Sequence, residues 1–290
     1  MAIETRSLAA NGLTFVADCT GDGDTIALML HGFPESRASW RQQLPALAAL
    51  GWRAVAPDLR GYGESSRPLG KAAYRIERLV EDVAALFEAL DAQRRILIGH
   101  DWGGAIAWAA ALRGVPLDAL VILNAPHPAA FGRALKTWDQ RRRSWYMAFF
   151  QLPWLPEALL TADDGRRLIG GLARQSPRFS PDLLETMRRN VTAPGAATAM
   201  LNYYRANFRR LRAPAPDPAA IDIPALLIWG EDDVYLGPAL ASGNEKWANN
   251  LTVRRLPGVS HWVQQDAPEM VNRTIAEWAR DQNLTAPALR

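Results

Sequence analysis

The sequence predicts an α/β fold, a mostly parallel sheet flanked by helices, with a helical segment inserted between two core strands. Three observations carry this reading. Short apolar runs at 25–32, 52–58, 95–101, 117–126, 224–232 and 251–258 alternate with amphipathic stretches, the pattern of buried parallel strands covered by helices. An Asn11-Gly12 pair sits between two strand-like segments, the signature of a tight antiparallel hairpin at a sheet edge. Between Pro128 and about Pro216 the pattern changes to stretches rich in Arg, Trp and Tyr, punctuated by Pro153, Pro156, Pro177, Pro181 and Pro194, with no convincing strand.

The elements follow in order. After the hairpin, TIALMLHG reads as a strand and is followed by a helix-like stretch beyond Ser39. WRAVAPD is the next strand, and 76–90 has the apolar spacing of an amphipathic helix. RILIGHD leads directly into the helical GGAIAWAAALR, and LDALVILNAP is the last strand before the insertion. Pro214, Pro216 and Pro218 read as a stiff return to the core, where PALLIWGED and LTVRRLPG supply the final strands. The expected organisation is a core of 1–128 and 217–290 with a helical cap of 129–216.

Composition narrows the function classes. A chain of 290 residues with 49% hydrophobic and 22% charged residues is an ordinary globular protein, long enough for one catalytic core and a lid. The net charge of +3 is too small to imply nucleic acid, and the runs Arg141, Arg142, Arg143 and Arg209, Arg210, Arg212 read as solvated helix faces or lid surface. The single Cys19 excludes an intramolecular disulfide and any thiolate-rich metal cluster, so a reducing cytoplasm is the expected location. The start MAIETRSLAANG lacks a basic segment followed by an apolar core, and no run of about 18 apolar residues occurs. Neither export nor a membrane span is expected.

The chemistry centres on IGHDWGG. Asp101 follows an apolar strand, and Gly99, Gly103 and Gly104 surround it before a helix begins. A strand-turn-helix of this kind needs small neighbours, because a nucleophile there sits on a strained turn that drives its side chain into a cleft. The competing reading is a simple helix cap, a role Asp favours. An unperturbed Asp, with a pKa of about 3.9, is ionised at neutral pH and attacks an sp³ carbon without a base to activate it. No G-x-S-x-G occurs, so serine acyl transfer lacks its nucleophile.

HGFP at 31–34, DLRGYGESSRP at 58–68, GHDWGG at 99–104 and LNAPHP at 123–128 resemble the epoxide hydrolase branch of the α/β-hydrolase fold, over nearly the whole chain from 12 to 278. The resemblance implies an α/β-hydrolase fold with a helical cap between two core strands. It implies that Asp101 forms an alkyl ester, hydrolysed by water activated by a histidine that a second acid orients. Of the four histidines, His31 ends a strand, His100 precedes the nucleophile and is expected to point away, and His127 enters the insertion; His261 stands where the fold places its base. Glu231, Asp232 and Asp233 compete as the acid, and similarity to the family's G-x-x-D turn selects Asp233, with Asp232 second; the alternative location carries Asn124. The amides of Phe33 and Trp102 are the implied oxyanion donors, with His31, Gly32 and Pro34 forming the turn that presents the first of them.

The branch is decided by the cap. WYMAFFQLP at 145–153 and LNYYRAN at 201–207 resemble the family's two tyrosine segments, which carries Tyr146 and Tyr204 over as donors to the epoxide oxygen. The departures are Leu152, where relatives commonly have an acid, and Tyr203, where they commonly have Trp. A haloalkane dehalogenase shares the Asp elbow and is the alternative: that branch holds its halide with Trp102 plus an Asn in the turn or a cap Trp, and here Phe33 fills the turn position while Trp138, Trp145 and Trp154 keep a cap donor open. A fluoroacetate dehalogenase would have Arg where this chain has Trp102. A non-catalytic binding protein of the same fold is the remaining alternative. The expected partner is a small-molecule epoxide, with no cofactor, no metal, no nucleic acid and no membrane, in a monomer or homodimer.

Overall fold

The computed structural model describes residues 2–176, 178–212 and 219–285, with only the backbone described for 209–212. The side chains of Arg209, Arg210 and Arg212 and the return prolines Pro214, Pro216 and Pro218 therefore lie outside the described residues. Eight strands form one sheet in the order β1-β2-β4-β3-β5-β6-β7-β8. These are β1 (Glu4–Ala10), β2 (Leu13–Thr20), β3 (Thr25–Leu30), β4 (Trp52–Pro57), β5 (Arg94–His100), β6 (Ala119–Leu123), β7 (Ala225–Gly230) and β8 (Leu251–Leu256).

Strands β1 and β2 pair antiparallel through Asn11 and Gly12, whose φ angles of 50° and 70° are the left-handed values a two-residue hairpin turn requires. Strand β2 also runs antiparallel to β4, and every pairing from β4 through β3 to β8 is parallel. The inner strands β6 and β7 are buried along their whole length, which is why they read as unbroken apolar runs without alternation.

Helices α1 (Gln43–Ala48), α2 (Ile76–Ala89) and α3 (Trp102–Leu112) cover the parallel part of the sheet. Between β6 and β7 the described residues form seven helices: α4 (Pro128–Ala134), α5 (Trp138–Arg143), α6 (Trp145–Phe149), α7 (Leu155–Thr161), α8 (Arg166–Gln175), α9 (Pro181–Thr192) and α10 (Ala196–Arg212). The short α11 (Val263–Asp266) and the amphipathic α12 (Pro268–Asp281) close the chain. Trp40, Leu44, Leu47, Val271, Ile275 and Trp278 pack with one face of the sheet, whereas α2, α3 and α10 contribute to the core on the other. Each fully buried aliphatic or aromatic side chain stabilises the fold by about 1.5–3 kcal/mol relative to exposure.

The insertion is fastened to the core through α10. Tyr203 is fully buried and its hydroxyl donates to the carbonyl of Arg60 at 2.8 Å. Asn207 donates to the carbonyl of Tyr74 at 3.0 Å and accepts from the amide of Ile76 at 2.9 Å, capping the start of α2. Arg60 is itself held by a buried ion pair with Asp82 on α2.

The close approach of α3 to β3 depends on Gly103, where an added Cβ would lie 2.0 Å from the carbonyl oxygen of Leu30. That neighbour is backbone and cannot rotate away. Gly103→Ala is expected to lower the unfolding free energy by about 1–3 kcal/mol, read as a lower urea midpoint, and an unchanged midpoint would contradict the packing described.

Candidate active site

Strand β5 ends at His100 and α3 begins at Trp102, so Asp101 occupies the turn alone. Its backbone is at φ 51°, ψ −118°, and its side chain makes no helix-capping hydrogen bond. The capping alternative therefore fails: the strained conformation serves to project the carboxylate, not to satisfy the helix. Gly32 lies directly against it, and a Cβ there would fall 2.4 Å from Cβ of Asp101.

The two carboxylate oxygens of Asp101 have different surroundings. Oδ1 accepts from the amide of Phe33 at 2.8 Å, while Oδ2 lies 3.5 Å from Nε2 of His261. The other ring nitrogen of His261, Nδ1, is 2.6 Å from Oδ2 of Asp233. Asp233 is buried in the turn after β7 and accepts from the amides of Tyr235 and Leu236 at 2.8 and 2.9 Å. Its neighbour Asp232 is exposed, and Glu231 pairs with Arg255. Of the three competing acids, only Asp233 faces the imidazole.

The turn at 31–34 is rigid for identifiable reasons. Nδ1 of His31 lies 2.9 Å from the carbonyl of Gly32, and Nε2 accepts from the amide of Leu59 at 3.1 Å, which sets a neutral tautomer in a site whose burial lowers the ring's pKa. The Phe33–Pro34 bond is cis. Trp102 packs against the rings of Tyr203 and Tyr204, at 5.5 and 5.1 Å between centroids.

Asp101 opens onto a cavity of about 700 Å³ whose walls include Phe33, Tyr146, Phe150, Tyr204, Tyr235 and His261. A second, smaller compartment of about 80 Å³ meets it at Asp101, Tyr146 and Tyr204, and is otherwise lined by side chains such as Ala125, Phe131, Met147 and Leu236. Tyr146 on α6 and Tyr204 on α10 approach edge to face with centroids 6.0 Å apart. Adjacent positions on a helix point about 100° apart, so Tyr204 faces the cavity while Tyr203 turns into the core. Burial and the nearby charge of Asp101 push both cavity phenols well above their ordinary pKa, keeping them protonated as donors.

The electrostatics of the line of three are coupled. Burial opposes the charge on Asp101, but the hydrogen bond and charge of His261, with His100 and the Phe33 amide, hold its carboxyl below the ordinary range. Burial likewise opposes a charged His261, yet the charges and hydrogen bonds of Asp233 and Asp101 lift its pKa to about 10.

Four contributors were not anticipated from the sequence. Asn124, at φ 38° after β6, donates to Oδ2 of Asp233 at 2.8 Å and so fixes the acid from the position where an alternative acid would stand. Glu35 is fully buried beside His100, 2.8 Å from its Nδ1, and Nε2 of His100 lies 3.0 Å from the carbonyl of His261. His100 thus points away from the cavity, as expected, but supports the backbone of His261 from behind. Tyr235 stands edge-on to both His261 and Tyr146. Finally, α5 clamps the Asp233 turn: Gln140 donates to the carbonyl of Tyr235 at 2.7 Å, and Arg143 to that of Asp233 at 3.1 Å. Arg143 therefore departs from the expectation of a solvated arginine run, whereas Arg141 and Arg142 are exposed. Local spacing carries no signal for these contacts, since each joins segments distant in sequence.

The raised pKa of His261 has a stability consequence. A histidine raised from 6.5 to about 10 contributes stability that is complete below the unfolded value and disappears as pH climbs through the folded one. The unfolding free energy is expected to decline from about pH 6.5 to about pH 10, and His261→Gln should flatten that limb in urea titrations. Equal slopes in both proteins would contradict the coupling.

Comparison with known proteins agrees with this geometry. A family profile described as alpha/beta hydrolase fold matches residues 28–268. The chain is 36% identical to the AB hydrolase superfamily protein YfhM of Bacillus subtilis, over 97% of this chain and 99% of that one. It is 35% identical to epoxide hydrolase 3 of Xenopus tropicalis, over 94% of this chain and 77% of that one. The crystal structure of an epoxide hydrolase from Bacillus megaterium in complex with an inhibitor superposes with a TM-score of 0.86 at 30% identity, covering 95% of this chain and all of that one. A fold, an Asp-His-Asp line facing a cavity and long relatives that agree with one another lead to one assignment: the chain belongs to the epoxide hydrolase family of α/β-hydrolase-fold enzymes.

Proposed function

We propose that the protein hydrolyses an epoxide to a vicinal diol through a covalent ester on Asp101. The observation that carries this reading is the placement of an ionised carboxylate between a backbone amide and an imidazole, in a cavity that two protonated phenols also line. In this reading 1–128 and 217–290 form the core that carries the reacting line, and 129–216 form the cap that supplies the phenols.

Oδ2 of Asp101 is the attacking atom, because Oδ1 is committed to the Phe33 amide. It forms a bond to one ring carbon as that carbon's bond to the ring oxygen breaks. Tyr146 and Tyr204 hydrogen-bond to the departing oxygen and supply its proton, which lowers the barrier that an unassisted alkoxide would impose. In a site with little water these hydrogen bonds are stronger than in solution.

Ester formation neutralises Asp101. That removes one of the two carboxylates raising His261, so its pKa falls: the imidazolium gives up its proton, which restores the phenol that protonated the ring oxygen, and the neutral imidazole can then take a proton from water. Asp233 holds the ring through Nδ1 and stabilises the charge it acquires. The new hydroxide bonds to Cγ of Asp101, and negative charge collects on Oδ1, where the amide of Phe33 already points, with that of Trp102 as the second donor. Collapse breaks the Cγ–Oδ2 ester bond, His261 passes its proton to the departing diol oxygen, and the second water proton, left on the Asp101 carboxyl, returns to His261, so that Asp101 is again a carboxylate with one water-derived oxygen.

Epoxide opening is favoured over halide displacement because Phe33 offers no side-chain donor in the turn, while the cap offers two acids suited to an oxygen leaving group. A non-catalytic role leaves the strained Asp101 and its convergent partners without a purpose.

One enzyme equivalent turning over styrene oxide in ¹⁸O-water should place the label in Asp101 before it enters the diol, as read by peptide mass spectrometry; label in the first diol would sink the covalent route. His261→Gln should accumulate the ester, visible as a mass increase equal to the substrate. The double variant Tyr146→Phe, Tyr204→Phe should lose about 10²-fold or more in kcat, and unchanged turnover would remove the phenols from the mechanism. Halide release from a bromoalkane without diol formation from the epoxide would transfer the chain to dehalogenation.

A further inference from the structure

The outer surface of the cap has an unusual composition. Among the described residues nine large apolar side chains are exposed, and five of them, Trp138, Trp145, Leu152, Trp154 and Leu159, come from the segment 138–159. Isolated exposed apolar residues need no explanation, but a concentration of this kind marks a contact surface. Trp154 strengthens the case. It is 73% exposed and its backbone lies at φ 48°, a region costly for a bulky residue and free for glycine. Burial does not compensate this strain, since the ring stands in solvent.

The charge of the segment indicates what it meets. Residues 136–159 contain four basic and two acidic side chains. Both acids are engaged: Arg143 holds Asp139 at 2.9 Å, and Arg205 holds Glu157 at 2.9 Å. Arg142 reaches Asp139 only at 3.9 Å, and with Lys136 and Arg141 it leaves exposed positive charge among the tryptophans. Tryptophan beside arginine and lysine suits the boundary between lipid headgroups and acyl chains, where rings are half-buried and cations meet phosphate. The same surface borders the cavity entrance, because Arg142, Trp145 and Val234 are exposed and also line the cavity.

We infer that this face of the cap is a peripheral docking surface for an anionic phospholipid bilayer, which sets the cavity entrance against the membrane. A lipophilic substrate then passes from bilayer to Asp101 without crossing bulk water. This revises the expectation that no membrane is involved: the lack of a helix long and apolar enough to cross a bilayer excludes a helical span among the described residues and has no bearing on surface attachment. The docking surface goes beyond the hydrolytic reading and its test does not use the reaction as readout.

The full chain should be sedimented with vesicles of phosphatidylcholine alone and of phosphatidylcholine mixed with phosphatidylglycerol. Binding to the mixed vesicles is expected, at least about tenfold tighter than to the neutral ones, given roughly 1 kcal/mol per basic residue near an anionic surface, and weakening as salt is added. Trp138→Ser with Trp154→Gly should reduce that binding about tenfold or more, since each exposed ring contributes apolar area to the contact. Trp154→Gly also removes backbone strain, so a folded variant is obtained, verified by a cooperative melting transition no lower than that of the parent protein. Absence of binding to either vesicle, or equal binding by the double variant, would overturn the inference. So would analytical ultracentrifugation showing a dimer that the double variant abolishes, without vesicle binding, because the face would then belong to a second copy of the chain.

Discussion

Two carboxylates and one imidazole share a single line, buried at Asp233 and His261 and half-buried at Asp101, and the surrounding architecture keeps that line aligned. An ion in a protein interior is tolerable only when its partners are close and its remaining hydrogen bonds are filled. Asp233 meets this demand with two backbone amides, Asn124 and His261. Asp101 is less completely satisfied: one oxygen has an amide and the other faces His261 at a distance too long for a strong hydrogen bond. That inequality makes Asp233 a support and leaves Asp101 with a free lone pair.

Rigid elements on every side preserve this difference. The Asp233 turn is gripped by Gln140 and Arg143 of α5, the Phe33 turn by His31, and the His261 backbone by His100 and Glu35. Burial disfavours the charge on Glu35, but His100 and Ser39 outweigh it and hold that carboxyl below the usual range. A second buried polar cluster thus stands behind the first without opening to the cavity. These supports hold Asp233, His261 and the Phe33 turn from several directions, whereas positions set by one side chain alone would vary with its rotamers.

The cap contributes the complementary half. Helix α10 buries Tyr203 against Arg60 and by the same act turns Tyr204 into the cavity, so one helix both anchors the insertion and lines the cavity. The two compartments that meet at Asp101 are unequal, about 700 and about 80 Å³, so the space beside the carboxylate is not symmetric. The tryptophans that the cap leaves outside are as much a part of its design as the tyrosines it turns inward.

Much of this was legible in the amino-acid order. Strand-sized apolar runs alternating with amphipathic stretches determined the α/β class, because burial on both faces of a parallel sheet leaves a direct imprint on local composition. The glycines around Asp101 pointed to the strained turn, and with only four histidines in the chain His261 could be singled out as the candidate base. The choice among Glu231, Asp232 and Asp233, and between Tyr203 and Tyr204, was a matter of side-chain direction, which adjacent residues in a turn or helix do not reveal without their neighbours in space. Only the tertiary structure brought in Asn124, Glu35, Gln140 and Arg143, because each acts across at least 65 residues of chain, and separation in sequence carries no information about distance once the chain is folded.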